Sequence, residues 1–278
     1  MKAQKYRTNG ASYATGILWV STLMIGIAAN AQTLNDQNST FTYNTASGAV
    51  GWTVDGVNQL ADQSFYYRIG SSGPEYNITT ISGSPTISNP DSRHLQVTYQ
   101  NSSLMVDVLY VLTGNATGSG NSGVGATITV KNLGNTAMDM HFFQYTDFDL
   151  TGITGGQTGV FGQSGGRWNR WTQNLGTLSA TDTFSSPSFL PSLVEAGYYN
   201  STLASLTDGN PTTLNGTSSI SIPGDVTAAI QWNAMFSAYG AGSDTLGISE
   251  TMSLRVPEPT TLSLAGLGLL LALRRSRR

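Results

Sequence analysis

The sequence predicts an all-β fold: a large single-domain β-sandwich with at most one short helix besides terminal targeting helices. Apolar residues alternate with polar or small ones in several segments, and clusters rich in Gly, Ser, Thr and Asn separate those segments. Charged residues make up only 10% of the 278 residues. Alternation with a period of two places one face of a strand in a core, and many such strands joined by Gly-rich turns are typical of sandwiches.

The strands differ in how strongly they are predicted. In Val226–Phe236 every even-numbered position is apolar, so one buried face is expected. The nearly continuous apolar run Leu104–Leu112 predicts a central strand covered on both faces. Glu250 falls at an inward position of the last strand, where a carboxylate is out of place. Shorter alternating sets complete the pattern: Leu95, Val97 and Tyr99; Ala126, Ile128 and Val130; Leu246, Ile248, Met252 and Leu254.

Turns and one helix separate these strands. Thr113–Gly123 and Lys131–Thr136 are dense in Gly, Asn, Ser and Thr, which predicts loops there. A short helix is predicted near Tyr199–Leu206, because two leucines stand three residues apart and Asp208-Gly209 can end it.

The N-terminus has the pattern of a secretory signal peptide over residues 1–31. Three basic residues precede the apolar run Ile17–Ile27, and Ala29 and Ala31 form a small-x-small cleavage site. We expect cleavage after Ala31, which leaves Gln32 first. A transmembrane helix is the weaker alternative, because the apolar run is short.

The C-terminus, residues 256–278, has three parts. They are a turn motif, a 12-residue apolar run, Leu262–Leu273, and an arginine cluster. As a helix the run would be roughly 18 Å long, against a hydrocarbon core about 30 Å thick. It therefore suits a transient stay in the membrane, with the arginines on the cytoplasmic side. The alternative is a buried terminal helix. The motif and cluster are Val256, Pro257, Glu258 and Pro259, and Arg274, Arg275, Arg277 and Arg278.

This tripartite tail, behind a signal peptide, resembles the PEP-CTERM sorting signal. The resemblance implies an exosortase-type processing enzyme as partner and removal of the tail. It also implies export to the cell surface or extracellular matrix of a Gram-negative bacterium, often in an exopolysaccharide or biofilm context. It covers sorting only and leaves the predicted extracellular domain, residues 32–255, without an assigned role.

Charge and cysteine content limit which partners and which kind of stabilisation we expect for the predicted extracellular domain. Between residues 32 and 256 lie six of the 13 basic residues and 15 of the 16 acidic residues, so this part carries a formal charge of about −9. So acidic a domain lacks the cations that nucleic-acid binding requires, and no nucleic-acid partner is expected. The chain has no cysteine, so the domain depends on its hydrophobic core rather than on disulfides.

A serine motif is the first of three candidate sites. Gly162–Gly166 reads Gly-Gln-Ser-Gly-Gly and fits the nucleophile-elbow pattern around Ser164. In that fold the histidine follows the serine, but His94 and His141 both precede it. The segment also resembles the Gly-Asp-Ser-Gly-Gly of chymotrypsin-like proteases, with Gln163 in place of the aspartate. A Gly/Ser loop explains it better than a hydrolase.

Two aspartates form the second candidate. Asp147 and Asp149 alternate at the end of a predicted strand, which places both on one face about 7 Å apart. Carboxylates at this spacing can bind calcium if a nearby loop completes the shell of ligands. The alternative is a solvated strand end with capping carboxylates.

An aromatic and basic patch is the third candidate. Trp168, Asn169, Arg170 and Trp171 could form a wall and polar groups for a saccharide. Alternatively the tryptophans pack in the core and the arginines pair with carboxylates.

These patterns predict an exported, non-enzymatic surface or matrix protein with a structural or adhesive role, which touches the membrane transiently through its tail. The alternative is a carbohydrate-binding or carbohydrate-active sandwich. No cofactor is expected apart from the calcium.

Overall fold

The computed structural model describes residues 31–255, and the predicted all-β sandwich is confirmed there. Eighteen strands form three sheets in which every pair is antiparallel. The described residues contain one α-helix, α1 (Thr202–Thr207), where a helix was predicted. Asp208 caps its end and Gly209 follows with a φ of 84°, a conformation that glycine adopts without strain. Within this part of the chain no helix is long and apolar enough to cross a membrane.

The strand bounds define the three sheets. The four-stranded sheet contains β1 (Ala31–Asp36), β2 (Ser39–Asn44), β3 (Val50–Val54) and β4 (Val57–Leu60). The five-stranded sheet runs β15 (Pro191–Tyr198), β17 (Val226–Phe236), β11 (Met138–Asp147), β5 (Asp62–Ile69) and β6 (Tyr76–Asn77). The nine-stranded sheet runs β16 (Ser219–Gly224), β12 (Gln157–Ser164), β13 (Arg167–Leu175), β14 (Leu178–Ser185), β18 (Thr245–Arg255), β10 (Ser122–Asn132), β9 (Leu104–Thr113), β8 (His94–Gln100) and β7 (Thr86–Asp91).

The nine-stranded sheet is the common wall of the core. Near β8–β10 it packs against the four-stranded sheet, where the rings of Phe41 and Tyr110 lie 4.8 Å apart. Near β14 and β18 it packs against the five-stranded sheet, where Phe184 meets Trp232 edge to face at 6.2 Å. One continuous apolar cluster therefore runs through all three sheets.

A carboxylate fastens the four-stranded sheet to the loop predicted at Thr113–Gly123, which joins β9 to β10. Asp55 lies in the β3–β4 turn and accepts hydrogen bonds from the backbone N–H groups of Gly118 at 2.6 Å and Gly120 at 2.8 Å. These bonds keep the pKa of Asp55 below its usual value. The Gly-rich loop is thus held in place by a charged acceptor.

Two strands are covered differently from the sequence prediction. β9 was expected to be buried on both faces, but its residues alternate between buried and half-buried, so only one face is in the core. β17 was expected to bury one face, yet residues 226–232 are buried on both. The outer face of the five-stranded sheet is covered there by a second apolar cluster that includes Leu206 of α1 and Leu214. Strand sequence alone does not reveal this covering segment.

Prolines lie in the outer strands of the larger sheets. Pro90 is in β7 and Pro223 is in β16, the two edges of the nine-stranded sheet, and Pro191 begins the edge strand β15. Proline has no N–H to donate, so it is tolerated at edges and discourages further strand pairing.

The targeting segments lie outside the described residues. This applies to the predicted signal peptide with Ala29 and to the tail from Val256 to Arg278, while Ala31 begins β1.

Candidate functional site

Three aspartates meet at one end of the five-stranded sheet, and we call them the rim cluster. Asp147 is the last residue of β11, Asp149 follows two residues later, and Asp225 lies in the turn between β16 and β17. One carboxylate oxygen from each lies within 4.8 Å of the others. The predicted pair Asp147 and Asp149 is thus brought together, although Asp149 lies beyond the strand rather than on it.

The strand register explains why these residues meet. β11 pairs with β17, with Thr146 opposite Ala228, so the end of β11 lies beside the turn that carries Asp225. On its other side Asp147 pairs with Asp62 of β5, which adds a fourth carboxyl group nearby. The backbone N–H of Tyr199 donates to the carbonyl of Asp225 at 2.9 Å and holds that turn.

The rim cluster is a site of uncompensated negative charge. Asp147 is only 5% exposed. Burial, together with Asp149, Asp225 and Asp62, raises its pKa to about 7. Burial also raises the pKa of Asp62 to about 6 and raises the pKa of Asp149 and of Asp225 above the usual value. No lysine or arginine among residues 31–255 forms an ion pair with these groups.

Several oxygens at this site lack hydrogen-bond partners. Buried Oδ1 atoms of Asp147, Asp225 and Asp62 accept no hydrogen bond in the described part of the chain. Buried polar atoms are nearly always satisfied, so such oxygens call for a proton, water or ion. Calcium prefers hard carboxylate oxygens, with six to eight oxygens in all. The donor set therefore fits calcium, with the remaining positions left to water, backbone carbonyls or a ligand.

A second acidic site lies inside the sandwich, and we call Asp182 and Glu250 the core pair. Asp182 on β14 and Glu250 on β18 interact directly with each other. From the facing sheet, the Gln144 Nε2 donates to Asp182 at 2.9 Å and to Glu250 at 3.1 Å. The amide of Gln63 also donates to Glu250.

Burial determines the protonation of the core pair. It raises the pKa of Glu250 to about 7 and, together with the neighbouring charge of Glu250, raises the pKa of Asp182 well above its usual value. Two carboxyl groups side by side in a dry core do not both ionise, so the pair retains at least one proton at neutral pH. The inward register of Glu250 was visible in the sequence. Asp182, Gln63 and Gln144 were not singled out there.

The predicted aromatic patch is divided by the structure. Trp171 is fully buried in the core, and its ring lies 4.7 Å from that of Phe161. Trp168 is half-buried and meets Phe161 edge to face, and Asn169 is half-buried as well. Arg170 is exposed, and its guanidinium lies across Gly162, where an added Cβ would come within 2.7 Å. Neither Arg170 nor Arg167 pairs with a carboxylate within residues 31–255.

The serine motif forms a hairpin tip. Ser164 is exposed and pairs with Arg167 across the β12–β13 turn, where Gly165 and Gly166 both have positive φ. His94 on β8 bonds Asp91 through Nδ1 at 2.8 Å, and His141 on β11 bonds Asn233 at 2.7 Å. Within the described residues neither histidine hydrogen-bonds to Ser164, so these groups do not form a triad there.

The rim cluster contains one residue that the sequence did not indicate. Asp225 lies 76 positions beyond Asp149, and only the pairing of β11 with β17 brings it near. A sequence signal did exist, since Asp225 follows Pro223-Gly224 directly before a strong strand, as a turn carboxylate often does.

Comparison with known proteins identifies the tail. Residues 255–278 match the PEP-CTERM protein-sorting motif, which confirms the resemblance. Such a motif implies an exported protein that exosortase sorts at the membrane of Gram-negative bacteria. No curated protein matches the chain.

Solved structures show similarity in fold. A bacterial glucoamylase complexed with acarbose has a TM-score of 0.58 and 10% identity, and the match covers 86% of this chain and 34% of that one. The Slr1438 protein of Synechocystis sp. PCC 6803 has a TM-score of 0.50 and 10% identity, over 82% of this chain and 96% of that one. The chain thus spans about a third of the glucoamylase. At such identity the similarity concerns the sandwich alone.

Proposed function

We propose that this chain is a non-enzymatic protein of the cell surface or extracellular matrix whose sandwich binds calcium at the rim cluster. Its role is structural or adhesive, in an exopolysaccharide or biofilm setting. One observation carries the proposal: three carboxylates from two distant segments converge within 4.8 Å, and an oxygen of the buried Asp147 has no hydrogen-bond partner among residues 31–255.

Calcium at this site would act as a clamp. It would join the end of β11, the loop after it and the turn before β17, whose carboxylates otherwise repel one another. Calcium sites of extracellular modules bind at roughly 10⁻⁴–10⁻³ M. A ligand that binds only the folded state stabilises that state by mass action, so the fold would be strengthened after export.

The environment of the side chains that could act in catalysis supports the proposal that the protein is not an enzyme. Ser164 lies at a hairpin tip, and both histidines are hydrogen-bonded to neighbouring polar side chains. In the core pair, Asp182 is fully buried and has no contact with solvent. A carboxyl group in such a location serves packing rather than turnover, since a substrate has to reach a catalytic group.

The test is a melting-temperature titration of the processed protein isolated from the cell surface or medium. Addition of about 5 mM calcium should raise the Tm by about 3 °C or more, and magnesium should do less because it requires stricter octahedral geometry. The shift should disappear in Asp147→Asn and in Asp225→Asn. The matched control is Asp139→Asn, at the opposite end of β11, where the side chain is 39% exposed. An unchanged Tm at millimolar calcium would refute the clamp.

The alternative, a carbohydrate-binding or carbohydrate-active protein, has one supporting observation. Trp168 is half-buried beside the exposed Arg170, so an apolar surface and a donor are adjacent on β13. A glycan array with wild type and Trp168→Ala tests it, and a saccharide signal lost in the variant would favour this alternative.

The sorting tail indicates the enzyme that would process this protein. The apolar run would hold the chain in the membrane transiently, and proline, which disfavours helix and sheet, would suit an extended segment that an exosortase-type enzyme can bind. Intact mass of the surface protein should exclude Leu262–Arg278. Replacement of Pro257, Glu258 and Pro259 by alanine should leave the tail attached.

A further inference from the structure

Two half-exposed tyrosines lie next to the rim cluster. Tyr198 is 41% exposed and ends β15, and Tyr199, which is 50% exposed, follows in the turn before α1. The Tyr198 ring packs over Gly224, and its hydroxyl donates to the carbonyl of Ile222 at 3.1 Å. The aromatic pair therefore directly adjoins the turn that carries Asp225.

The connection to the acidic groups has two parts. The backbone N–H of Tyr199 donates to Asp225, as described above. Burial raises the pKa of the Tyr145 hydroxyl, and the charges of Asp147 and, least of all, Tyr199 add to this, so both lie in the neighbourhood of Tyr145. Aromatic surface and cation ligands thus occur together at one edge of the molecule.

A calcium ion here would have open positions on the solvent side. Asp147 closes the inner side because it is buried, whereas Asp149 and Asp225 are half-exposed. Three carboxylates supply between three and six oxygens, depending on whether each binds through one or both. A shell of six to eight is then completed by water, or by ligand oxygens that replace water.

Charge indicates which ligand fits. Three carboxylates and one Ca²⁺ leave a net charge of about −1, and Asp62 adds further negative charge when ionised. An anionic sugar would be repelled, whereas a neutral sugar can offer two adjacent hydroxyl oxygens to the ion. The apolar face of a sugar ring matches an exposed tyrosine, which presents an apolar body and a polar tip.

We propose that the rim cluster and Tyr199, with Tyr198 beside it, form a calcium-dependent binding site for neutral saccharides that carry adjacent hydroxyl groups. This rests on the proposed calcium site. It differs from the Trp168 surface, which lies on a different sheet. The buried Oδ1 of Asp147, which has no hydrogen-bond partner in the part of the chain that the structure describes, is the observation beside the charge cluster that indicates a ligand there.

The experiment is calorimetric titration of the processed protein with methyl α-mannoside and methyl β-galactoside, in 5 mM calcium and again in excess EGTA. Binding with a Kd in the millimolar range is expected in calcium, as is usual for one small neutral ligand. EGTA should weaken it at least tenfold. Galacturonic acid, the anionic probe, should bind several-fold more weakly than the neutral glycosides.

Tyr199→Ala should weaken saccharide binding at least fivefold while leaving the calcium-induced rise in Tm intact. The matched control is Tyr239→Ala, which removes a 59% exposed tyrosine beyond the far end of β17. That ring contacts Lys131 and lies past the end of β17 opposite to Asp225, and the strand between them spans roughly 35 Å.

Three results would overturn the inference. They are saccharide binding that persists in EGTA, full binding by Tyr199→Ala, and no saccharide binding while calcium still raises the Tm. The last result would leave the calcium clamp standing. A missing calcium response would refute clamp and saccharide site together, so the two failures are distinguishable.

Discussion

The core pair and the rim cluster are both groups of carboxyls with raised pKa, yet they differ in what can balance their charge. Asp182 and Glu250 lie between two sheets and receive amide donors from Gln63 and Gln144. The rim aspartates lie at a strand end, and two of the three face solvent. A proton fits between the carboxyls of the core pair, whereas the rim cluster has room for a hydrated ion.

This difference shows that raised pKa values alone do not identify a functional site. In the core pair, raised pKa values reflect burial and one shared proton, and the amides donate to one oxygen of each carboxyl. The other oxygens, Asp182 Oδ1 and Glu250 Oε2, have no further partner among the described residues. In the rim cluster, burial and like charges act on Asp147, and within residues 31–255 no amide side chain donates to it and its Oδ1 has no hydrogen-bond partner. The core pair is thus closed to a ligand, whereas the rim cluster is open to one.

The largest expected effect is the loss of the amide that serves the core pair. Gln144→Leu removes donors from both buried carboxyls, so we expect the free energy of unfolding to fall by about 2–4 kcal/mol. Urea denaturation at pH 7 measures it. Gln96→Leu is the matched control, because that exposed amide also donates to a carboxylate, Asp107, at 3.0 Å. The control should change the free energy of unfolding by less than about 0.5 kcal/mol. Equal losses in the two variants would show that burial of the amide does not determine its contribution to stability.

The next effect is the pH dependence of the core pair. Glu250 titrates near 4.5 in the unfolded chain and near 7 when folded, so the folded state holds a proton that the unfolded state has released. The free energy of unfolding should therefore fall as pH rises from about 4.5 to 7, by on the order of 3 kcal/mol.

Glu250→Gln should make this pH dependence shallower, because the amide needs no proton. Urea denaturation at pH 5, 6 and 7.5 for wild type and variant isolates the contribution, since the rim cluster is common to both. Parallel pH profiles for the two proteins would contradict the assignment of a protonated core pair.

A smaller effect concerns calcium and pH at the rim. Calcium binds the ionised carboxylate, and the pKa of Asp147 is about 7 without the ion, so acid should compete with calcium. We expect the calcium-induced rise in Tm to be about 3–6 °C at pH 7.5 near ten times the Kd, and less than half of that at pH 5.5. Asp139→Asn should behave as wild type, and a pH-independent shift would place the ion elsewhere.

The smallest effect should come from Asp62. Its charge is the least of the causes that raise the pKa of Asp147. Asp62→Asn should therefore move the midpoint of the calcium response toward lower pH by less than about one unit. Asp208→Asn, at the end of α1, is the control and should move nothing. A loss of calcium binding in Asp62→Asn would instead make Asp62 a ligand.

The sequence predicted the strands and the class of fold because period-two patterns depend on local residue order. It also indicated Asp147 and Asp149, which are close along the chain, and the inward position of Glu250. The chain order could not indicate that Asp225 joins the rim cluster or that Asp182 meets Glu250. Those contacts depend on which strands become neighbours, and strand order was not predicted.

The sequence also could not predict which outer faces of the sheets are covered by other segments of the chain. β17 is buried on both sides because α1 and Leu214 lie over its sheet, while β9 keeps a half-open face despite its apolar composition. Trp168 and Trp171 illustrate the same limit, since both rings contact Phe161, yet one is half-buried and the other is fully buried. The surroundings of a strand, rather than its own residues, determine these outcomes.

The prolines in both outer strands of the nine-stranded sheet have a consequence for crowding. Proteins retained at an envelope reach high local density, where an open sheet edge would accept a strand from the next copy. With Pro90 and Pro223 in these edges, a continuous intermolecular ladder lacks a donor at each proline. Neighbouring copies should therefore remain separate folding units, and any cohesion of a layer of them would arise from loops, glycans or shared cations.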